Sequence, residues 1–247
     1  MPGNRELFSM WANTRMIVLT AVIAALYVCL LLPFKGLILV PGFTEIRPAA
    51  LVPLFCSLLF GPAAAWGAAI GNVVGDLFGG MFGLGSIPGF LGNFMLGYLP
   101  YKLLQNIFRS LPANANYFQK MLVGVFAAVS CGVIIAWGVD LLGLVPFAVL
   151  GSAISTNNTI MAALYPFVFA LLFQRVARMG LLHSQIMPER QPRSGLLPQV
   201  VGPFLVIAGA LGGLACGLML NAGQAPESIK LIVTPFVAAI FIGCLML

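Results

Sequence analysis

Eight apolar runs divide the chain, each parted from the next by a short polar or glycine-rich stretch. They fall at residues 14–34, 49–60, 62–78, 87–104, 121–142, 159–173, 200–220 and 229–247. Most reach the length of a membrane-crossing helix, about 17–25 residues, and none shows the strict alternation of a lipid-facing strand. The pattern predicts an all-α bundle. The second run departs from it. At about 18 Å, with Pro53 inside it, it is predicted to be short, kinked or extended backwards into the preceding loop. Residues 143–158 mix apolar and polar positions and predict at most a short helix. Residues 180–199 are polar and hold three prolines, so the chain reads as a six-span core (1–180), a linker (181–198) and two additional spans (199–247).

Composition sharpens this to an integral membrane protein. Only 7% of the residues are charged, against about 25% in a soluble domain. Little chain is left for an ATPase or a soluble catalytic domain. The twelve Lys and Arg fix a topology rather than a nucleic-acid surface. With the N-terminus inside, nine of them (Arg5, Arg15, Lys102, Arg109, Lys120, Arg175, Arg178, Arg190 and Arg193) lie on the inner side, and three (Lys35, Arg47 and Lys230) lie outside. Both termini are therefore predicted to be cytoplasmic, in a multi-pass protein of the cell membrane. The five cysteines sit inside apolar runs, away from any CxxC or His spacing, and read as small core residues. The sequence has no GxSxG, HExxH or Walker lysine motif, and its single histidine, His183, falls in the polar linker, where it is expected to be solvated. No catalytic residue, metal site or cofactor is predicted for this chain.

Polar groups inside the apolar runs are few and gather on one side. Asn72 and Asp76 are four apart and share a helical face, with Asp76 about 21 Å up its helix from Pro62. Asn93 lies about 9 Å below the outer end of the fourth run, and Asp140 about 30 Å beyond Lys120. Asn157 and Asn158 open the sixth run, and Glu45 and Arg47 sit in the outer loop. A carboxylate or amide in hydrocarbon is costly unless it meets a partner or a wet cavity. These eight residues are the candidate substrate-binding set, although helix capping and interhelical hydrogen bonds would use the same residue types. Trp137, with Phe43, Phe78, Phe82 and Phe90, lies near the outer ends and suits a planar ring.

The first span carries a charged leader followed by Ala24-Ala25-Leu26-Tyr27. Leu59-Phe60-Gly61-Pro62 then leads into a Gly/Ala-rich helix with Gly71, Gly75 and Asp76, and a glycine-rich outer loop precedes the fourth span. In that order, over residues 14–178, these features resemble the substrate-binding S components of energy-coupling factor (ECF) transporters. The resemblance implies a six-helix bundle that captures a vitamin or related micronutrient and docks on a coupling protein bearing two ATPases, which hydrolyse the ATP. It also places the docking face on Ala21, Ala24 and Ala25, and small residues four apart do let another helix approach closely. The last two spans depart from the pattern. A self-sufficient secondary transporter is the alternative, although its charges would be expected at the bilayer midplane. A non-catalytic membrane assembly factor is another.

Overall fold

The computed structural model describes residues 5–40, 44–108, 111–187, 196–220 and 226–247. It is helical almost throughout. The helices are α1 (Arg5–Ser9), α2 (Thr14–Leu31), α3 (Leu51–Phe60), α4 (Pro62–Phe78), α5 (Ser86–Ile107), α6 (Tyr117–Leu141), α7 (Phe147–Arg178), α8 (His183–Ile186), α9 (Leu196–Leu220) and α10 (Pro226–Met246). Between α2 and α3 two short strands, β1 (Ile38–Val40) and β2 (Thr44–Glu45), pair antiparallel. Among the described residues, four helical segments are long and apolar enough to cross a membrane: Thr14–Phe34, Tyr117–Leu141, Phe147–Ile186 and Gln199–Met219. The protein is an all-α, multi-pass membrane protein.

Glycine contacts show how the bundle is wound. Along α4, Gly67 packs on Thr20 and Ile23, Gly71 on Ala24 and Tyr27, Gly75 on Leu31 and Gly79 on Lys35. Contacts that advance together on both helices mean that α2 and α4 run parallel, so α3 must return the chain between them. The later pairs are antiparallel: Gly97 of α5 meets Ala64 of α4, Gly138 of α6 meets Pro88 of α5, and Gly132 of α6 meets Ser155 of α7. A hairpin of α9 and α10 completes the molecule, with Gly209 against Phe236 and Ile240. It packs on the core through Gly213 against Val133 and Gly217 against Phe147.

The second run is short rather than kinked. α3 is a ten-residue helix preceded by a 3-10 turn at Pro48–Ala50. Pro53 falls in its first turn, where the missing N–H has no intrahelical partner to lose. Residues 52–59 are all buried, which explains a sequence apolar on every side. The turn into α4 is made by Gly61 at φ 55°, a conformation that favours glycine, followed by Pro62 at the first helical position.

Three expectations are corrected. Residues 147–178 form one helix of 32 residues, not a short helix and a separate span. Several of the polar residues that suggested a break find partners within the fold: the Ser152 hydroxyl donates to the Ala148 carbonyl, and Asn157 and Asn158 reach other elements. Those two asparagines therefore lie about 15 Å into the helix rather than at its opening. His183 is buried, not solvated; its ring packs on Gly61, and its Nε2 lies 4.0 Å from Glu6. Glu6 also pairs with Lys102 at 2.5 Å and accepts a hydrogen bond from the Tyr101 hydroxyl at 3.0 Å.

The close α2–α4 approach gives a direct test. A leucine at Gly67 would place its Cβ 2.7 Å from the Ile23 side chain. Overpacking of this kind costs about 1–3 kcal/mol. Gly67→Leu is expected to lower the melting temperature of the detergent-solubilised protein, whereas Gly36→Ala, with open space around the glycine, is not.

Candidate functional site

Helix α4 carries the centre of the site on one face. Asn72 and Asp76 are buried, 1% and 6% exposed, and the Asn72 amide donates to Asp76 Oδ2 at 3.1 Å. The same carboxylate oxygen accepts from the Ser86 hydroxyl at 2.9 Å, and Oδ1 faces Lys35 Nζ at 3.6 Å. Asn72 Oδ1 accepts from the Arg47 guanidinium and from Asn93 Nδ2, each at 3.1 Å. Asn93 donates also to the Gly89 carbonyl at 2.9 Å, and its own Oδ1 accepts from the Tyr27 hydroxyl at 3.0 Å. The network thus links α2, the segment between α2 and α3, α4 and the start of α5. One donor-to-acceptor chain runs from Tyr27 through Asn93 and Asn72 to the Asp76 carboxylate.

This network forms one wall of a cavity of about 290 Å³, near the lower end of the ~300–1,000 Å³ typical of ligand pockets. Arg47, Asn72, Asp76 and Ser86 supply its polar lining. Ile135 and Val139 of α6, Leu144, and Leu150 and Ile154 of α7 supply the apolar wall. The glycine-rich stretch after α4 contributes Gly83 and Gly85, which bring backbone rather than side chains to the rim. Gly89 has a packing role: a Cβ there would meet the Asn72 amide nitrogen at 2.8 Å.

The candidate residues take different positions. Arg47, Asn72, Asp76 and Asn93 form a single hydrogen-bonded group. Asn157 does not line the cavity; its amide pairs with the Arg47 main chain. Asn158 is buried one residue further on, with its Nδ2 3.5 Å from Cys131 Sγ. Asp140 is buried next to Val139 and does not line the cavity. The Trp137 indole N–H donates to the Thr234 hydroxyl of α10 at 3.0 Å, so this side chain meets the hairpin. Glu45 is placed as backbone in β2, and its side chain lies outside the described residues, as does Phe43. Phe78 and Phe82 are exposed, and Phe90 packs on Trp66, so the cavity wall is aliphatic where aromatic rings were expected.

Sequence reasoning missed Lys35, Ser86 and Tyr27. Lys35 was visible as one of only three basic residues assigned to the outer side. Ser86 opens α5 immediately after the glycine-rich stretch, and Tyr27 lies one turn beyond Ala24 on the helix that packs against α4. Neither position has a polar neighbour in sequence to announce it. Of the docking candidates, Ala24 is buried against Gly71, whereas Ala21 and Ala25 are exposed on α2. Among the described residues, no group of three His, Cys, Asp or Glu side chains could hold a metal ion.

Fold and cavity together describe a multi-pass helical membrane protein with a pocket of small-molecule size beside Asp76. The chain belongs to the QueT transporter family, whose family model matches residues 17–175. It is thereby an S component of the ECF type, the part of the transporter specific for a micronutrient. The matched residues run from the first turn of α2 to the end of α7, so α9 and α10 lie outside them. No curated protein and no solved structure matches the chain.

The Tyr27 hydroxyl is the start of the network and is fully buried. Removing it leaves the Asn93 carbonyl oxygen short of a donor, a deficit worth about 1–3 kcal/mol. Tyr27→Phe is expected to lower thermal stability by that order, measured by unfolding of the purified protein. No change would mean that water or another donor replaces the hydroxyl.

Proposed function

We propose that this chain captures a queuosine precursor, a base with the 7-deazaguanine ring, from the extracytoplasmic side and hands it to an ECF coupling protein driven by two partner ATPases. The observation that carries the reading is Asp76, a carboxylate set in a cavity wall beside Asn72, Ser86 and Arg47. A deazaguanine edge offers amino and ring N–H donors next to a carbonyl acceptor. A carboxylate accepts from such donors and a guanidinium donates to such a carbonyl. The aliphatic side chains of Ile135, Val139, Leu150 and Ile154 suit the two apolar faces of a planar base.

The positive-inside rule supports the orientation: alternating the spans assigns nine basic residues to the inner side, against three to the outer side, Lys35 and Arg47 among them. Both termini are then cytoplasmic and the cavity faces outward. The exposed Ala21 and Ala25 support docking on the coupling protein, since a stripe without bulk lets a partner helix approach to van der Waals distance. The hairpin packs chiefly on α6, with further contacts to α5 and α7. Lipid surrounds the other faces. The chain binds no nucleotide of its own, and ATP is hydrolysed by the partners.

Two measurements test the proposal together. Asp76→Ala is expected to weaken binding of 7-aminomethyl-7-deazaguanine to the purified protein about tenfold or more, since ~1.4 kcal/mol is a decade. Ala21→Leu with Ala25→Leu is expected to abolish uptake by cells carrying the coupling protein and ATPases while leaving that affinity within twofold. Unchanged affinity in the first variant removes the cavity as the binding site. Equal loss of uptake and affinity in the second assigns the alanines to internal packing.

A further inference from the structure

Helix α7 reaches the site without lining it at its polar end. Leu150 and Ile154 line the cavity, and Asn157 follows on the same helical stripe. Its side-chain amide lies against the main chain of Arg47. Asn157 Oδ1 accepts from the Arg47 N–H at 3.2 Å, and Nδ2 donates to the Arg47 carbonyl at 3.4 Å. Both main-chain groups of one residue are therefore held by one side chain, as a neighbouring strand would hold them. The contact falls where the backbone has left regular structure. β2 ends at Glu45, a 3-10 turn begins at Pro48, and Arg47 between them has φ −115° and ψ 78°. From that fixed main chain the guanidinium reaches Asn72 Oδ1 at 3.1 Å. The asparagine is braced from behind as well: Nδ2 lies 3.3 Å from Asn158 Oδ1, and Asn158 in turn contacts Cys131.

We infer that Asn157 is a positioning residue: it clamps the Arg47 main chain so that the guanidinium stays aimed into the cavity, where it selects ligands that carry a carbonyl or another acceptor. The inference rests on the reading of this cavity as the substrate site. Arg47 is a long side chain whose donors are useful only when their origin is fixed, and a planar guanidinium is the group best suited to a carbonyl acceptor. Asn157 acts through Arg47 because both of its polar atoms are engaged there and it does not line the cavity.

A double-mutant cycle on the purified full chain separates the roles, with 7-aminomethyl-7-deazaguanine as probe. Asn157→Ala is expected to weaken binding about tenfold, and Asn157→Ala combined with Arg47→Ala to bind no worse than Arg47→Ala alone. Additive losses would make Asn157 a direct ligand contact and overturn the inference. A silent Asn157→Ala beside weakened Arg47→Ala and Asp76→Ala would overturn it while leaving the cavity reading intact. Silence in all three would overturn both. A second measurement needs no ligand. Alanine is well tolerated on a helix, so Asn157→Ala should fold, and hydrogen exchange of the Arg47 amide should quicken at least tenfold relative to the amides of α4 and α6. Exchange as slow as in the wild type would mean that no clamp exists.

Discussion

Hydrocarbon offers no water to a buried polar group, so every amide and carboxylate inside this bundle must find its partner within the protein. The rest of the site follows from how that requirement is met at Asp76. Its carboxylate is served by Asn72, Ser86 and Lys35, and Asn72 is served by Asn93 and Arg47. These groups come from three segments of the chain and can meet only where the helices lie close together. The glycines allow that approach. Gly71 and Gly75 bring α4 onto α2 near Tyr27 and Leu31, and Gly89 brings α5 onto Asn72. A stripe of small residues and a cluster of polar ones are thus two parts of one arrangement: close backbones make short hydrogen bonds possible, and the hydrogen bonds make polar side chains tolerable.

The two ends of the bundle put their charges to different use. At the cavity end, Asp76, Lys35 and Arg47 surround an opening walled on its other side by aliphatic residues. At the opposite end, Glu6, Lys102, Tyr101 and His183 draw α1 and α8 onto the C-terminal end of α5. There the charges tie terminal segments to the core. The α9–α10 hairpin is attached by another means again, with Gly213 and Gly217 admitting Val133 and Phe147, a hydrogen bond from Trp137 to Thr234, and the Cys244 thiol 3.5 Å from the Met95 sulfur. Its interface is thus mostly apolar packing.

Much of the fold was legible because membrane helices announce themselves by length and by the absence of charge. The run from Pro62 to Phe78 was read to the residue, since Gly61-Pro62 starts it and glycines end it. The misreadings share a cause. Polar residues within 143–158 suggest at most a short helix when read alone, yet Asn157 and Asn158 sit inside a long one, where Arg47 and Cys131 satisfy them from distant parts of the chain. His183 looked solvated for the same reason; nothing near it in sequence reveals that Gly61 leaves room for its ring. The site was legible as far as spacing allows. Asn72 and Asp76 lie four apart on one helix and could be paired on paper. Tyr27 and Ser86 could not, because which residue faces Asn93 or Asp76 depends on how α2 and α5 rotate against α4. Trp137 shows the converse: an aromatic residue near the right end of its helix is turned to the hairpin by a hydrogen bond that no local pattern contains.

The central claim is that a small molecule occupies the cavity beside Asp76 and is held by the polar wall described above. Mass spectrometry of the small molecules that co-purify with the detergent-solubilised protein tests it most directly, with wild type compared against Asn72→Leu. The account predicts one planar, nitrogen-rich base enriched with the wild type and lost from the variant, with both proteins folded. The same molecule recovered equally from both, or from neither a compound with donors for the Asp76 carboxylate, would contradict it.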